Sequence, residues 1–215
     1  PSLQPAGKVL RPTLCLLACE AAGGDPERAL PAAVAVEYIH NFSLIHDDVE
    51  DRDRTRHHRE TVWAVWGDPI AIVSGNTIFG LADLAVQNLT ERGTPSGVAI
   101  EVGNALATRY LNMMEGQYLD ISFETRPAVT VDEYLDMIWH KTGALIECSV
   151  YTGAAIGIAG SGNGDVIEGM RALGRELGYI FQIRDDVLGV WGGPETGKPV
   201  GADIRRKKNS FPVVY

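Results

Sequence analysis

The chain has 215 residues, 45% of them hydrophobic and 22% charged, which suffices for one domain with a sizeable core. A formal net charge of −9 argues against a general nucleic-acid binder, although the run Arg205-Arg206-Lys207-Lys208 is locally basic. Cys15, Cys19 and Cys148 lack a paired Cys/His set and read as core thiols of a reducing cytoplasm. No uninterrupted apolar run reaches about 18 residues and no basic-then-apolar leader opens the chain, so the expectation is a cytoplasmic protein without a membrane span.

Apolar spacing near 3.6 dominates and strand alternation is nearly absent, which predicts an all-α fold. The first helix is expected from Pro12 to Ala22, with Gly23-Gly24 ending it. Pro31 should divide the next stretch and leave a helix over about 32–51, with Val34, Tyr38, Phe42, Ile45 and Val49 on one stripe. On a neighbouring stripe, His40, Asp47 and Asp51 follow at spacings of seven and four and point the same way. RDRTRHHRE, residues 52–60, reads as a structureless charged loop. Asp68-Pro69 signals a helix reaching about Arg92, and Thr94-Pro95 restarts the chain into a helix over about 96–124 that places Gln117 and Asp120 together. Thr130 and Glu133 form a capping box for a helix running through Lys141-Thr142 toward Gly153. Gly160 to Gly164 is a loop, a helix over about 165–190 follows, and WGGPETGKPVGAD, residues 191–203, is a Gly/Pro-rich connection.

Two segments concentrate the chemistry. SLIHDDVED, residues 43–51, and FQIRDDVLG, residues 181–189, each put adjacent carboxylates near the end of an apolar helix. At about 4 Å and an effective dielectric near 20, two such charges repel by roughly 4 kcal/mol, a cost that bound cations relieve. Asp47 and Asp51 lie one turn apart and can share divalent ions, with Asp48 orienting waters or a basic partner. Oxygen-only ligands favour Mg²⁺, which takes its remaining ligands from water and substrate phosphates. Lys141, Lys198 and Lys208 are available as diphosphate partners, and Gly7, Lys8 and Arg11 of GKVLRP gather two cations at a helix start, an anion site. GGPETGK lacks the P-loop spacing and runs into Pro199.

These motifs resemble the trans-isoprenyl diphosphate synthases, or polyprenyl synthetases, through GKVLRP, EYIHNFSLIHDDVED, RTRHHRETVW, GQYLD, HKTGALIE, GYIFQIRDDVLG, GKPVGADI and KKNSFPVVY, in family order over nearly the whole chain. The resemblance implies a single-domain antiparallel helical bundle with a central cavity, acting as a homodimer and joining isopentenyl diphosphate to an allylic diphosphate. It implies Mg²⁺ on Asp47, Asp51 and Asp185, with Asp48 and Asp186 in support. Arg56, Lys141, Thr142, Gln182, Lys198 and Lys208 would complete the allylic site, and Lys141, Thr142, Gln182 and Lys198 would assist ionisation. Gly7, Lys8, Arg11, His40 and the loop bearing His57 would hold isopentenyl diphosphate. Phe42, five residues before Asp47, and Ser43 beside it would set product length at about C20, with C15 as the runner-up.

Four departures stand out. Arg56-His57-His58-Arg59-Glu60 replaces two arginines followed by Gly-x-Pro, Val9 stands where a basic residue is frequent, Gly189 replaces the last acid of the second motif, and the loop before Lys198 is about one residue short. Two other readings share the same motifs: a class I terpene synthase that ionises an allylic diphosphate without an isopentenyl partner, and a non-catalytic partner subunit. Lys8, Arg11 and His40 favour elongation over the first, and the retained acids favour an enzyme over the second. Both ends of the sequence fall abruptly around motifs, so the chain reads as the core of a longer protein.

Overall fold

The computed structural model describes residues 9–57, 59–159, 164–192 and 210–215. Those residues are all-α apart from one two-residue antiparallel pairing. They form two compact units: Pro1–Leu106 with Ser149–Met170, and Ala107–Cys148 with Arg171–Tyr215.

In the first unit, α1 (Leu10–Ala21) and α2 (Pro26–Glu50) pack together, and α2 packs against α4 (Asp68–Gln87). Asp25 caps α2 by accepting from the Glu27 amide at 3.0 Å, and Pro26 occupies the first turn. Pro31 does not divide this helix as its ring chemistry suggests. It sits inside α2, buried, where its missing N–H frees only one carbonyl near the helix start and packing outweighs that loss. The inner face is also broader than one stripe. Val34 is exposed, while Ala29, Ala32, Ala33, Ala35, Val36, Ile39, Phe42 and Ile45 are buried, because α2 is approached by both α1 and α4 and its alanines let them come close.

Alongside these helices, α7 (Ala144–Gly157) brings its later residues onto α1. A methyl group at Gly153 would overlap the Cys15 carbonyl, so only hydrogen fits there. Cys15 and Cys19 are fully buried, and desolvation pushes the Cys15 thiol up to about 12, which makes it a core residue rather than a nucleophile.

The described residues of 52–60 are more regular than their charge suggests. Thr55 pairs with Glu60 and Arg56 with Arg59 in a short hairpin, strands β1 (Thr55–Arg56) and β2 (Arg59–Glu60), followed by the short helix α3 (Val62–Trp66). Helix α4 ends at Gln87, before Arg92, because Asn88 to Gly93 close as successive turns with Gly93 at φ 80°. It buries Ala71, Gly75, Ile78, Ala82 and Ala85 and exposes Ile70, Ile72, Val73, Leu81 and Leu84. Among the described residues it is the one helix long and apolar enough to cross a membrane by length and composition, although Asn76, Thr77 and Asp83 interrupt its apolar run.

The second unit centres on Phe123, Val129, Tyr134, Met137 and Ile138, with Leu119, Tyr179, Ile183 and Phe211 packed around them. Its elements are the later parts of α5 (Ser96–Phe123) and α8 (Gly164–Trp191), with α6 (Val131–Ile138) and α9 (Phe211–Val214). The Thr130–Glu133 capping box forms as its spacing predicts, with the Glu133 amide donating to Thr130 Oγ1 and the Thr130 amide donating to Glu133 Oε2. Between α6 and α7, Trp139–Gly143 is a single π-helical turn, the segment WHKTG that carries Lys141 and Thr142. Periodicity predicts an unbroken helix there, since one extra residue per turn leaves no compositional mark. Of the loop expected over Gly160 to Gly164, residues 160–163 lie outside the described residues and Gly164 instead begins α8; most of the 191–203 connection also lies outside them.

Candidate active site

The first acid motif ends α2. Asp47 and Asp51 are half-buried, and the Asp51 amide donates to the Asp47 carbonyl at 2.8 Å, closing the last turn. Asp48 is buried, and the Arg56 Nε donates to its Oδ1 at 2.7 Å. Burial raises the Asp48 carboxyl above the usual range and Arg56 partly offsets it. Thus Asp48 has the basic partner its position predicts, and that partner comes from the hairpin.

The hairpin is held by its own base. Thr61 Oγ1 and Trp63 Nε1 both donate to the Asp53 carbonyl, at 2.7 and 2.8 Å. The guanidiniums of Arg52 and Arg54 lie 5.4 and 5.6 Å from the Trp63 ring centre, and Arg52 also donates twice to Asp68. Sequence spacing does not single out Trp63, because its partners are a carbonyl and two arginines of an irregular segment. His57 is exposed and adopts φ 48°, a left-handed conformation unusual for a side chain other than glycine.

Farther up α2, His40 meets Arg11 of α1, with 3.3 Å between Arg11 Nη1 and His40 Nε2. Burial, followed by the nearby charges of Arg11, Arg56 and His57, holds the imidazole well below its ordinary value, so it is neutral at pH 7 and accepts from the arginine. Arg11 is itself buried, which lowers it to about 10, and its Nε has no hydrogen-bond partner among the described residues. A buried cation with an unsatisfied donor is a receiver for an anion.

Below the acids, Phe42 is buried against Phe79 of α4, ring centres 5.3 Å apart, and against His46 at 4.6 Å. Ser43 is buried and turns its hydroxyl back to the His40 carbonyl at 2.8 Å. Phe79 reaches Phe42 across the contact between α2 and α4, which no local motif announces, whereas His46 lies one turn along α2 itself.

The second unit assembles a different set. Lys141 Nζ donates to Asp120 Oδ2 at 2.5 Å, so Asp120 of the Gln117/Asp120 pair finds its neighbour on the π turn. A methyl group at Gly116 would overlap the Lys141 backbone, which identifies the close approach that seats the turn. Trp139 lies within 5.8 and 5.3 Å of the Arg109 and Arg175 guanidiniums, and Arg109 also pairs with buried Glu147 at 2.7 Å. Thr142 Oγ1 donates to Gln182 Oε1 at 2.8 Å, and Gln182 Nε2 donates to Asp186 Oδ1 at 2.7 Å. Asp186 Oδ2 accepts from the Tyr134 hydroxyl at 2.7 Å and from the Phe211 amide at 2.9 Å. Burial and the Asp186 carboxylate raise the Tyr134 phenol far above its ordinary value, so it remains a donor. Asp185, next in sequence, is exposed.

Gly7, Lys8, His58, Lys198 and Lys208 lie outside the described residues. Among the described residues, no three His, Cys, Asp or Glu side chains gather closely enough to hold a metal ion by themselves.

An all-α chain with carboxylates at two helix ends, a lysine–threonine pair on a π turn and a buried arginine with a spare donor defines a protein suited to anionic ligands. The chain belongs to the polyprenyl synthetase family, whose model matches residues 2–215. It is 46% identical over 210 residues to the (2E,6E)-farnesyl diphosphate synthase of Mycobacterium tuberculosis, covering 97% of this chain and 56% of that protein. Among solved structures it is similar to the geranylgeranyl pyrophosphate synthetase of Pyrococcus horikoshii, with TM-score 0.89 and 42% identity over 97% of this chain and 62% of that one. It is also similar to the polyprenyl synthase of Caulobacter crescentus complexed with calcium and isoprenyl diphosphate, with TM-score 0.84 and 28% identity over 97% of this chain and 60% of that one. The chain therefore spans about three fifths of the length of these relatives.

Proposed function

We propose that the protein is a Mg²⁺-dependent trans-prenyltransferase that condenses isopentenyl diphosphate with an allylic diphosphate to give a product of about C15–C20, with C20 as the reading Phe42 favours. The observation that carries it is Arg11, buried beside a neutral His40 with no partner for its Nε among the described residues, on a chain of the polyprenyl synthetase family. A terminal diphosphate supplies the oxygens that donor lacks.

Asp47 and Asp51, at the end of α2, and Asp185, on α8, are the proposed Mg²⁺ ligands. Their oxygen-only chemistry fits a hard divalent ion, and because no three carboxylates gather alone among the described residues, diphosphate and water would complete its shell. The ion would stabilise negative charge on the departing diphosphate. Lys141 binds and orients the allylic diphosphate, with Lys198, Lys208 and Arg56 assigned to the same anion, and Thr142 and Gln182 complete the site beside the reacting allylic carbon. Lys141 carries the charge that balances the leaving group as the allylic C–O bond breaks. Arg11 and His40, with Gly7, Lys8 and His57, hold isopentenyl diphosphate so that its double bond attacks the allylic carbon. The proton lost from the new chain passes to the released diphosphate.

The homodimer belongs to the same proposal, and the apolar face of α4 supports it: Ile70, Ile72, Val73, Leu81 and Leu84 are all exposed in the single chain. Sedimentation at several concentrations reads it, and a monomer throughout removes it. A cytoplasmic setting is supported by the buried thiols of Cys15, Cys19 and Cys148. The activity is tested by following label from isopentenyl diphosphate into longer allylic diphosphates with Mg²⁺ and with a chelator; label that remains in isopentenyl diphosphate under both conditions refutes the assignment.

A further inference from the structure

We infer that Asp186 is a positioning residue, and that it sets the direction of a hydrogen-bond relay ending on Thr142; the inference rests on the prenyltransferase reading for its kinetic consequences. Deprotonated, Asp186 can only accept. It receives Gln182 Nε2 on one oxygen and the Tyr134 hydroxyl and Phe211 amide on the other. Its fit to donors from three separate elements, α6, α8 and α9, marks it as a hub.

The polarity of the relay follows from inventory alone. Because the carboxylate can only accept, the Gln182 amide must turn its nitrogen toward Asp186, which leaves its carbonyl oxygen facing Thr142. Thr142 must then donate its single proton to Gln182, so its oxygen meets any ligand with lone pairs and no proton. Carboxylate, amide and hydroxyl therefore have one consistent orientation, fixed from the Asp186 end. Tyr134, held as a neutral phenol, and the first amide of α9 anchor that end, so the short helix after Ser210 is tied to the same hub. Adjacent acids in one motif thus have different tasks: Asp185 is exposed for an ion, whereas Asp186 is buried under protein donors.

Asparagine at 186 tests direction and strength separately. Its single oxygen can keep Tyr134 and Phe211, but its NH₂ then faces Gln182, which must flip and donate to Thr142, reversing the relay. Tyr134→Phe removes one anchor without reversing anything. In the full chain, Asp186→Asn is expected to lower kcat about 10- to 100-fold, and Tyr134→Phe by several-fold less, with the Mg²⁺ concentration for half-maximal rate unchanged within about twofold. In a Thr142→Val background the Asp186→Asn loss should shrink to less than about threefold, while Thr142→Ser should preserve it.

Calorimetry with Mg²⁺ and inorganic pyrophosphate needs no turnover and separates this inference from the function it rests on. Asp186→Asn should keep the wild-type affinity within about twofold, whereas Asp185→Asn should lose about tenfold or more. A tenfold rise in the Mg²⁺ requirement or loss of affinity in Asp186→Asn makes it a metal ligand and overturns the inference. Full additivity of Asp186→Asn with Thr142→Val overturns the relay. An absence of prenyl transfer in the wild type, with the calorimetric pattern intact, would instead refute the function.

Discussion

Arg11 and His40 meet at 3.3 Å across α1 and α2, with the arginine donating and the imidazole neutral. Burial keeps the histidine uncharged, and three neighbouring basic groups, Arg11, Arg56 and His57, reinforce that state. An imidazolium there would be repelled by those three groups.

A pH dependence of stability follows. A histidine whose folded pKa is depressed binds its proton more readily when unfolded, so stability is complete above the unfolded value of about 6.5 and falls as pH drops below it. The slope is about 1.4 kcal/mol per pH unit until the folded pKa is reached. Denaturant unfolding between pH 5 and 7.5 should show this loss in the wild type and its removal in His40→Gln, where the amide oxygen still accepts from Arg11. Equal slopes in the two proteins would place the charge elsewhere.

Phe42 packs on Phe79 and His46, so the wall below the first acid motif is shared between α2 and α4. Phe42→Ala should lengthen the product by about one or more five-carbon units, and Phe42→Ala with Phe79→Ala should lengthen it further, read by mass spectrometry of the dephosphorylated alcohols. An unchanged product length in both variants removes this wall as the floor.

Gly153 and Gly169 are both helical, yet they answer to different constraints. Alanine at 153 overlaps the Cys15 carbonyl and must push α1 aside, at about 1–3 kcal/mol. Alanine at 169 meets nothing within 4 Å and should stabilise by about 0.5–1 kcal/mol through the unfolded chain. Chemical denaturation of the two variants checks both signs.

Much of the fold and part of the site are legible in the sequence. The α5 boundaries and the Thr130 capping box follow from local spacing, because each depends on residues within one or two turns; of the site, motif spacing marks Asp47, Asp48, Asp51 and Lys141 as candidates, while the partners Arg56 and Asp120 come from other elements. What local spacing misses has long-range causes. Pro31 stays helical because it is buried in a helix that α1 and α4 pack against, and the π turn at Trp139–Gly143 is seated by Gly116 of α5. Tyr134 and Phe79 carry no motif of their own and become visible only through partners 52 residues on, in the first case, and on a neighbouring helix in the second. The hairpin at 55–60 escapes the charge pattern because its strands are two residues long and its hold comes from Thr61 and Trp63.

Two-substrate elongation is tested most directly by identifying the products formed by the purified protein from Mg²⁺ and an allylic diphosphate, with and without isopentenyl diphosphate. Elongation predicts a diphosphate longer by five carbons or a multiple of five when both substrates are present, and no hydrocarbon when isopentenyl diphosphate is withheld. Hydrocarbon released from the allylic diphosphate alone, with no elongated diphosphate in the complete mixture, would contradict it.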